Sequence, residues 1–322
     1  MRNASIIATA ALTLGACQVE NELRFVSTLD AETNGVVLAD DGNNTHVGME
    51  GMTCTVSTEW GCPIDDADLP TTEERVLDHF EGQTLATSIG GLHTIDSTGW
   101  QRDADISVTS VRAARYAAGG LMVLRGDARA CFVQQGAHET AVPGNLCTED
   151  LDVEIDRADS ALYTAASDGV YAIEMTGAKK VSDGDLAAWD PALRQLYTAT
   201  AGETVLTASK RRGAEVWTVD LGLPILSIAA RGNRGQVVVL AEAADEFGSL
   251  FRLNGVDGSQ LGVSDLPDSE GSLEVSGNGK MVAIVRDDEV HFFSMVLESE
   301  GELDLPEKDP VACLQDDRIA AD

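Results

Sequence analysis

Residues 161–177 read ALYTAASDGVYAIEMTG: a short apolar strand, a polar turn and a second strand of alternating pattern. Similar units recur at 195–222, 236–258 and 280–295, with looser copies at 36–49, 84–99 and 121–136. The residues that precede the second strands are Asn44, Gly91, Arg129, Gly169, Glu215, Ser249 and Glu289. Their spacing of about 34 to 47 residues is typical of the blades of a β-propeller. The sequence therefore predicts an all-β chain folded as a propeller.

The propeller pattern occupies nearly the whole chain. Seven four-stranded blades need about 280 residues, which is close to the distance from Leu23 to Ser299. We predict one propeller domain at 23–299 with seven blades, or alternatively six or eight, and an acidic tail at 300–322. Helical pattern is nearly absent, and its best instance is TTEERVLDHF at 71–80. The apolar residues of that segment equally suit a blade strand.

The N-terminus has its own pattern. An apolar stretch from Ala4 to Leu14 precedes Gly15, Ala16 and Cys17, and it is too short to span a bilayer. This arrangement looks like a bacterial lipoprotein signal. The resemblance implies a signal peptide at 1–16, lipidation of Cys17 and a tether at 17–22. Because Gln18 replaces the aspartate that is associated with retention in the inner membrane, it also implies an outer-membrane anchor facing the periplasm. A plain secretory peptide is the alternative.

The chain is strongly acidic, with a formal net charge of -32 from 54 Asp and Glu against 22 Lys and Arg. Removing Arg2 with the signal would leave about -33. Nucleic acid and anionic lipid headgroups are poor partners for such a surface. Two interpretations stay open: a hydrated surface suited to a salty medium, or a surface that binds divalent cations or a basic partner.

Five cysteines remain after Cys17 is assigned to lipid. In an oxidising compartment we predict a disulfide between Cys54 and Cys62 and another between Cys131 and Cys147, each stabilising by roughly 2 to 4 kcal/mol. Cys313 is either free or pairs with one of them and pins the tail to the ring, since spacing does not determine connectivity. Zinc is not predicted, because the chain has no Cys-x-x-Cys motif.

The most pointed acidic segment is DLDVEID at 150–156. As a strand, it would place Asp150, Asp152, Glu154 and Asp156 on one face and three aliphatic side chains on the other. Those carboxylates are candidate calcium ligands, although a calcium site needs a loop that converges six or more oxygens. The alternative, which we favour, is an outer edge strand whose charges face water and discourage aggregation.

The repeats resemble those of two groups of propellers. GVYAIEMTG at 169–177 resembles the repeat of pyrroloquinoline-quinone-like propellers, and GLHTIDSTG at 91–99 and SLFRLNGVDG at 249–258 are similar. DPALRQLY at 190–197 and SGNGKM at 276–281 look more like the turn that opens blades in WD40 and surface-layer-type propellers. Quinone-dependent dehydrogenases of that superfamily carry an adjacent cysteine pair, which this chain lacks. The non-enzymatic relatives in that superfamily include the propeller lipoprotein of the outer-membrane β-barrel assembly machinery.

Linear catalytic motifs are absent from the sequence: it has no Gly-x-Ser-x-Gly elbow, phosphate loop or His-Glu-x-x-His. The repeat pattern predicts that the five histidines fall in different blades and that His93 and His291 occupy equivalent positions of the repeat. We predict a lipid-anchored envelope propeller that acts as a protein-binding or scaffold module, without a cofactor, for an envelope protein partner. The alternative is a metal- or cofactor-dependent enzyme, hydrolase or lactonase-like, with its site in the central channel.

Overall fold

The computed structural model describes residues 24–30, 36–38, 44–49, 52–57, 62–68, 75–80, 83–88, 91–96, 99–102, 111–118, 120–125, 130–134, 139–141, 152–230, 235–243, 247–266, 269–286 and 289–295. For most of these residues before 152 the structure describes the strand but not the side chain. The predicted signal peptide, Cys17, Cys147, Asp150 and the acidic tail with Cys313 lie outside the described residues. None of the described residues forms an apolar helix of membrane-spanning length.

The described part of the chain consists of strands joined by turns. In the first half the strands are Arg24–Asp30 (β1), Val36–Leu38 (β2), Asn44–Met49 (β3), Met52–Ser57 (β4), Cys62–Asp68 (β5), Arg75–Phe80 (β6), Gln83–Ser88 (β7), Gly91–Asp96 (β8), Gly99–Arg102 (β9), Val111–Ala117 (β10), Gly120–Arg125 (β11), Ala130–Gln134 (β12) and Glu139–Ala141 (β13). In the second half they are Asp152–Asp156 (β14), Ala161–Ala166 (β15), Gly169–Glu174 (β16), Gly177–Ser182 (β17), Leu186–Asp190 (β18), Gln195–Ala199 (β19), Val205–Lys210 (β20), Glu215–Asp220 (β21), Ile225–Ala230 (β22), Gln236–Glu242 (β23), Gly248–Asn254 (β24), Gln260–Leu266 (β25), Ser272–Val275 (β26), Met281–Val285 (β27) and Glu289–Ser294 (β28).

Among the described residues, these strands form seven four-stranded antiparallel sheets. Six sheets are meanders of consecutive strands: β2–β5, β6–β9, β10–β13, β14–β17, β18–β21 and β22–β25. The last sheet joins β26, β27 and β28 to β1, which pairs with β28 so that Leu29 lies opposite Val290. A strand from the beginning of the chain therefore completes the last sheet.

The first strands of the sheets follow one another around a ring. Each contacts the first strand of the next sheet, from β2 through β6, β10, β14, β18 and β22 to β26, and β26 contacts β2 in turn. Sheets that are joined at their first strands radiate outward from a common axis, which is the architecture of a propeller. The predicted all-β propeller fold is confirmed.

The strand bounds correct part of the predicted repeat spacing. The third strands begin at Met52, Gly91, Ala130, Gly169, Val205, Gly248 and Glu289. They are about 36 to 43 residues apart, which is more regular than the predicted anchors. Two anchors were wrong, because Asn44 begins a second strand and Glu215 begins a fourth. All strands of a meander share apolar alternation, so alternation alone does not tell a third strand from its neighbours. The prediction that the five histidines fall in different blades was also wrong, because His79 and His93 lie in one sheet.

Burial follows from the position of a strand within its sheet. The second strands β15 and β19 are buried along their whole length, and β23 is buried from Val237 to Ala241. These strands pack against a neighbouring sheet on each face, which explains their continuous apolar sequence. The fourth strands β17, β21 and β25 are much more exposed. Residues 75–80 are a strand rather than a helix, with Val76 and Leu77 buried.

A glycine allows a close approach between the sheets β18–β21 and β22–β25. The carbonyl oxygen of Gly255 accepts hydrogen bonds from Gln195 Nε2 at 2.6 Å and from Trp217 Nε1 at 2.8 Å. A Cβ at Gly255 would lie only 2.4 Å from the hydroxyl oxygen of Tyr197. Only a residue without a side chain lets both donors reach this carbonyl.

Candidate interaction face

The antiparallel order gives every sheet two distinct ends. We define the first face as the end that carries the turns between first and second strands and between third and fourth strands. The second face carries the remaining turns and the connections between sheets. Turns contact one another at the first face, both between neighbouring sheets and within a sheet. The Ala118 amide donates to the Arg157 carbonyl of the next sheet at 3.0 Å, and the Gly255 amide donates to the Gly235 carbonyl of its own sheet at 2.7 Å.

Arg157 joins three sheets at the first face. Its Nη1 and Nη2 donate to the two carboxylate oxygens of Asp78 at 2.6 and 2.7 Å, and Nη1 also donates to the carbonyl of Tyr116 at 2.9 Å. The side chain of Asp78 is fully buried and also accepts a hydrogen bond from the Tyr116 amide at 2.8 Å. The guanidinium carbon lies 4.6 Å from the centre of the Phe80 ring. This bidentate pair is the kind of buried ion pair whose hydrogen bonds are fully used.

Arg115 makes a second link among the same three sheets. It extends from the first strand β10 and donates to the carbonyl of Leu77 on β6 and, at 2.9 Å, to the carbonyl of Val153 on β14. First strands have a free edge toward the ring axis, whose carbonyl groups need donors. Arg115 supplies them to both neighbouring strands.

A second charged cluster joins the sheets β14–β17 and β18–β21. Arg194 and Arg211 both donate to the carboxylate of Asp159. Arg211 also pairs with Glu174 at 3.1 Å. The cluster therefore brings together turns from both sheets, and its two guanidinium groups bridge carboxylates that would otherwise repel one another.

Asp156 lies beneath this cluster and is only partly neutralised by it. Its Oδ2 is 3.7 Å from Arg194 Nη2 and 3.9 Å from Arg211 Nε, which is too far for hydrogen bonds. Burial raises the pKa of Asp156, the charge of Asp159 raises it further, and the two arginines oppose this shift. Among the described residues, Asp156 Oδ2, Arg211 Nε and the Tyr163 hydroxyl have no hydrogen-bond partner.

One turn at the first face recurs in different sheets. Asp190 ends the first strand β18, and its Oδ1 accepts hydrogen bonds from the amides of Ala192 at 2.7 Å and Leu193 at 3.1 Å. Asp156 ends β14 at the corresponding place, and Ser276 caps the turn after β26 by accepting from the Lys280 amide at 3.2 Å. Asp and Ser are the residues that stabilise such turns through their own side chains. The turns at Asp190 and Ser276 are the segments whose sequences look like the opening turn of WD40 and surface-layer-type blades.

Replacing Asp190 should separate its hydrogen bonds from its charge. Its side chain is fully buried, its Oδ2 has no partner among the described residues, and burial raises its carboxyl pKa. Asp190→Asn keeps the acceptor without the charge, so we expect this variant at pH 7 to be at least as stable as the parent. Asp190→Ala, which loses both hydrogen bonds, should be less stable than Asp190→Asn by about 1 to 2 kcal/mol.

The pH dependence follows from the sign of the pKa shift. An aspartate with a raised pKa takes up its proton more readily in the folded state, so its contribution favours folding at low pH and is lost as pH rises through the folded pKa. The parent should therefore gain stability relative to Asp190→Asn as pH falls from 7 toward the ordinary aspartate pKa of about 3.9. Urea unfolding of both proteins across this range measures the difference. A constant difference would contradict the assignment.

The first face also exposes apolar side chains beside cations. Met175 is 41% exposed, Val216 38% and Val256 61%. They lie at the ends of three successive sheets, next to or within the turns between third and fourth strands. Lys210 and Arg212 are exposed in the middle one of these turns. Arg212 forms no ion pair with any residue that the structure describes.

Charge divides the two faces among the described residues from 152 to 295. At the first face cations balance carboxylates: Arg157, Arg194, Lys210, Arg211, Arg212 and Lys280 stand with Asp156, Asp159, Glu174, Asp190, Glu215 and Asp257. The described part of the second face is mostly acidic: Asp168, Asp183, Asp185, Glu203, Asp220, Glu242, Glu270 and Glu289 surround Lys180 and Arg286. Phe247 and Val205 are exposed there. The first face is therefore the better surface for an anionic partner.

The predicted metal residues do not lie on an outer edge strand. Asp152, Glu154 and Asp156 belong to β14, a first strand that contacts β10 and β18, so the prediction of an outer edge was wrong. Glu154 is half-buried and Asp156 is buried, because the strand faces its neighbours in the ring. No group of three or more potential metal ligands occurs among the described residues.

The backbone register locates the cysteines whose strands are described. Cys54 lies opposite Asp66 and Cys62 lies opposite Ser57, on the paired strands β4 and β5. They are three positions apart along the strand, about 10 Å, so a disulfide between them would require a shift of register. Cys131, on β12, lies opposite Ala141 on β13. Both disulfides stay predictions.

The arginines and their partners at the first face were not predicted from the sequence. Asp78 and Arg157 are 79 residues apart in the chain, and no short motif connects them. For the exposed turn a signal existed, since Lys210, Arg211 and Arg212 are consecutive cations in an otherwise acidic chain. A cationic run at a predicted turn was the available indication of a surface with its own role.

No protein-family model matches this chain, and no curated protein matches it. Solved structures do. The β-propeller domain of Cps50 (Swd1) from Myceliophteria thermophila is 10% identical at a TM-score of 0.64, and the match covers 85% of this chain and 99% of that one. A chain of the mitotic checkpoint complex is 15% identical at a TM-score of 0.64, covering 92% and 100%. The WD40 β-propeller domain of Doa1 is 14% identical at a TM-score of 0.60, covering 85% and 97%. At these identities the likeness shows the fold alone: the chain has a WD40-like β-propeller fold.

Proposed function

We propose that this chain is a seven-bladed propeller that serves as a protein-binding scaffold and engages its partner through the first face. The observation that carries the proposal is the set of exposed apolar side chains, Met175, Val216 and Val256, beside the unpaired cation of Arg212. Protein interfaces are enriched in methionine and arginine and combine an apolar centre with a polar rim. The described part of the second face is mostly acidic, so this mixed patch of cations and apolar side chains is distinct from it.

The blade count is supported by two independent features. The regular recurrence of third strands gives one repeat for each sheet, and the first strands make a continuous series of contacts from β2 to β26 and back to β2. In this series every described sheet has a neighbouring sheet on each side, and β1 completes the last sheet. A closed ring of this kind presents its turns on a rigid frame.

The solved structures with this fold support a binding role by analogy. One of them is, by its name, part of an assembly, the mitotic checkpoint complex. Propellers host unrelated functions, so the fold raises the expectation of a binding module and the exposed patch locates it. The net charge of -32 supports a protein partner over nucleic acid.

We further propose that lipid at Cys17 tethers the propeller to the outer membrane facing the periplasm, where its partner is another envelope protein. The support is the sequence at 1–17, which resembles a lipoprotein signal. Two acyl signals hold a soluble domain at a bilayer stably, and a lipidated cysteine commonly supplies them. The oxidising periplasm would also permit the predicted disulfides.

A face-directed variant tests the binding role. Val256→Glu combined with Arg212→Glu places charge in the apolar patch and reverses its cation, so we expect recovery of a cross-linked envelope protein to fall by at least about tenfold. Lys179→Glu, on the exposed fourth strand β17, is the matched control and should leave recovery unchanged. Affinity purification after cross-linking in cells measures this. Equal recovery from the face variant and the control would reject the first face as the binding surface.

The same measurement with Cys17→Ser tests the anchor. Loss of the tether lowers the effective concentration at the membrane, so the partner should be recovered poorly although the face is intact. Fractionation should move the variant out of the membrane. If Cys17→Ser remains in the membrane fraction, lipid at this cysteine is not the anchor. Circular dichroism of every variant confirms that the propeller is folded.

A further inference from the structure

The last described strand of the chain ends at the first face. Strand β28 is the third strand of its sheet, and third strands end at that face. The place of the fourth strand beside β28 is occupied by β1, so residues after 295 do not pair with β28 as a fourth strand. At the exit, the Met295 amide donates to the carbonyl of Lys280 at 2.7 Å. Residues 296–322 therefore start beside the turn between β26 and β27.

The segment 296–322 is complementary in chemistry to the exposed patch. Its carboxylates at 298, 300, 302, 304, 307 and 309 are accompanied over this stretch by one cation, Lys308. Leu303 and Leu305 lie among them. A surface that offers Lys210 and Arg212 beside Met175 and Val256 supplies both kinds of contact that this sequence needs. The second face, which is mostly acidic, would repel it.

Residues 296–309 are long enough to reach the turn Lys210–Arg212 from the end of β28. The sheet that contains β28 is separated from the sheet β18–β21 by one sheet, β22–β25. An extended chain advances about 3.3 Å per residue, so residues 296–309 span up to about 46 Å. A compact domain of this length has a radius of gyration of about 18 Å. The acidic part of the segment can therefore cross the first face without strain.

We infer that residues 296–309 dock across the first face of their own propeller, with carboxylates at the turn Lys210–Arg212 and leucines on the exposed apolar side chains. The segment then occupies the surface that the proposed function assigns to the partner. Competition between the segment and the partner rests on that proposed function. A partner with higher affinity, or with the same acidic and apolar chemistry, must displace it. The docking itself needs no partner.

Zero-length carbodiimide cross-linking of the full-length purified chain tests the inference. The reagent joins a carboxylate directly to a nearby lysine amine, so mass spectrometry should find residues 298–309 linked to Lys210 within one chain. Links to Lys280, beside the exit, are expected with or without docking and serve as the internal reference. Lys180 on β17 should not be linked, because its amine donates to the carbonyl of Asp168 in a turn of the second face.

Variants distinguish docking from chance encounters. Arg212→Glu should lower the ratio of Lys210 to Lys280 links by about fivefold, because it replaces an attraction with a repulsion. The substitutions Glu300→Gln, Glu302→Gln and Asp304→Asn together should do the same, and high salt should reproduce the loss. Lys179→Glu carries the same charge change as Arg212→Glu and should leave the ratio unchanged.

Each other outcome overturns the inference. Links confined to Lys280, an unchanged ratio in Arg212→Glu, or links between two chains that increase with concentration would each exclude docking within one chain. Failure of the partner assay alone, with the intrachain links intact, would reject the proposed function and leave the docking. Loss of the links with partner recovery intact would do the reverse.

Discussion

Replacing Arg157 by alanine should destabilise the folded chain by about 3 to 5 kcal/mol. The substitution leaves the carboxylate of Asp78, which is fully buried, without the two hydrogen bonds at 2.6 and 2.7 Å that Arg157 donates. The hydrogen bond from the Tyr116 amide, which carries no charge, does not replace that neutralisation. It also removes the link between the turn after β14 and the two preceding sheets. Equilibrium unfolding in urea, followed by circular dichroism, measures the loss.

A second variant tests whether the charge is the cause. Asp78→Asn combined with Arg157→Met removes both charges and keeps an oxygen that accepts the Tyr116 amide, so most of the lost stability should return. Arg212→Ala, at an exposed arginine, should change stability by less than about 0.5 kcal/mol. If Arg157→Ala and Arg212→Ala have equal effects, the buried pair does not stabilise the junction of these sheets.

Replacing Trp189 by alanine should also cost about 3 to 5 kcal/mol. Its ring is 1% exposed and stacks on Tyr163 of the neighbouring sheet, with centroids 4.9 Å apart and planes 26° apart. The two rings lie in a core cluster with Ala165, Val170 and Leu196, between the sheets β14–β17 and β18–β21. Truncation would open a cavity that these rigid strands cannot close. Thermal and urea unfolding both report the change.

Trp189→Phe is the matched control for packing. It preserves an aromatic ring against Tyr163 and removes an indole N–H that has no hydrogen-bond partner among the described residues. We therefore expect a cost below about 1.5 kcal/mol. A phenylalanine variant as unstable as the alanine variant would show that the indole shape, rather than aromatic burial, determines the contact.

The charged contacts between neighbouring sheets affect the proposed binding face directly. Arg157, Arg194 and Arg211 hold together the turns from which the face is built, and they are largely occupied by carboxylates within the ring. Arg212, by contrast, is exposed and available. Variants of the occupied arginines should therefore alter stability, whereas variants of Arg212 should alter contacts of the first face with little change in stability.

The sequence by itself determined the fold class and the strand content. The recurrence of apolar strands and polar turns requires no knowledge of tertiary contacts, since each blade must bury similar strands in a similar order. It also located Asp190 and Ser276 in turns, because the side chains that stabilise such turns act on neighbouring amides. The lipoprotein signal and the disulfides are likewise predictions from sequence.

Only the tertiary structure decided which strand is which and what each charge does. Alternation predicted that Asp156 faces water on an outer strand, but β14 lies at the axis and buries it. Nothing in the sequence joins Arg157 to Asp78, because turns from different sheets meet only when the ring is assembled. Pattern along a chain reports local periodicity and burial, whereas the contacts of a charged side chain depend on which distant segments the fold brings beside it.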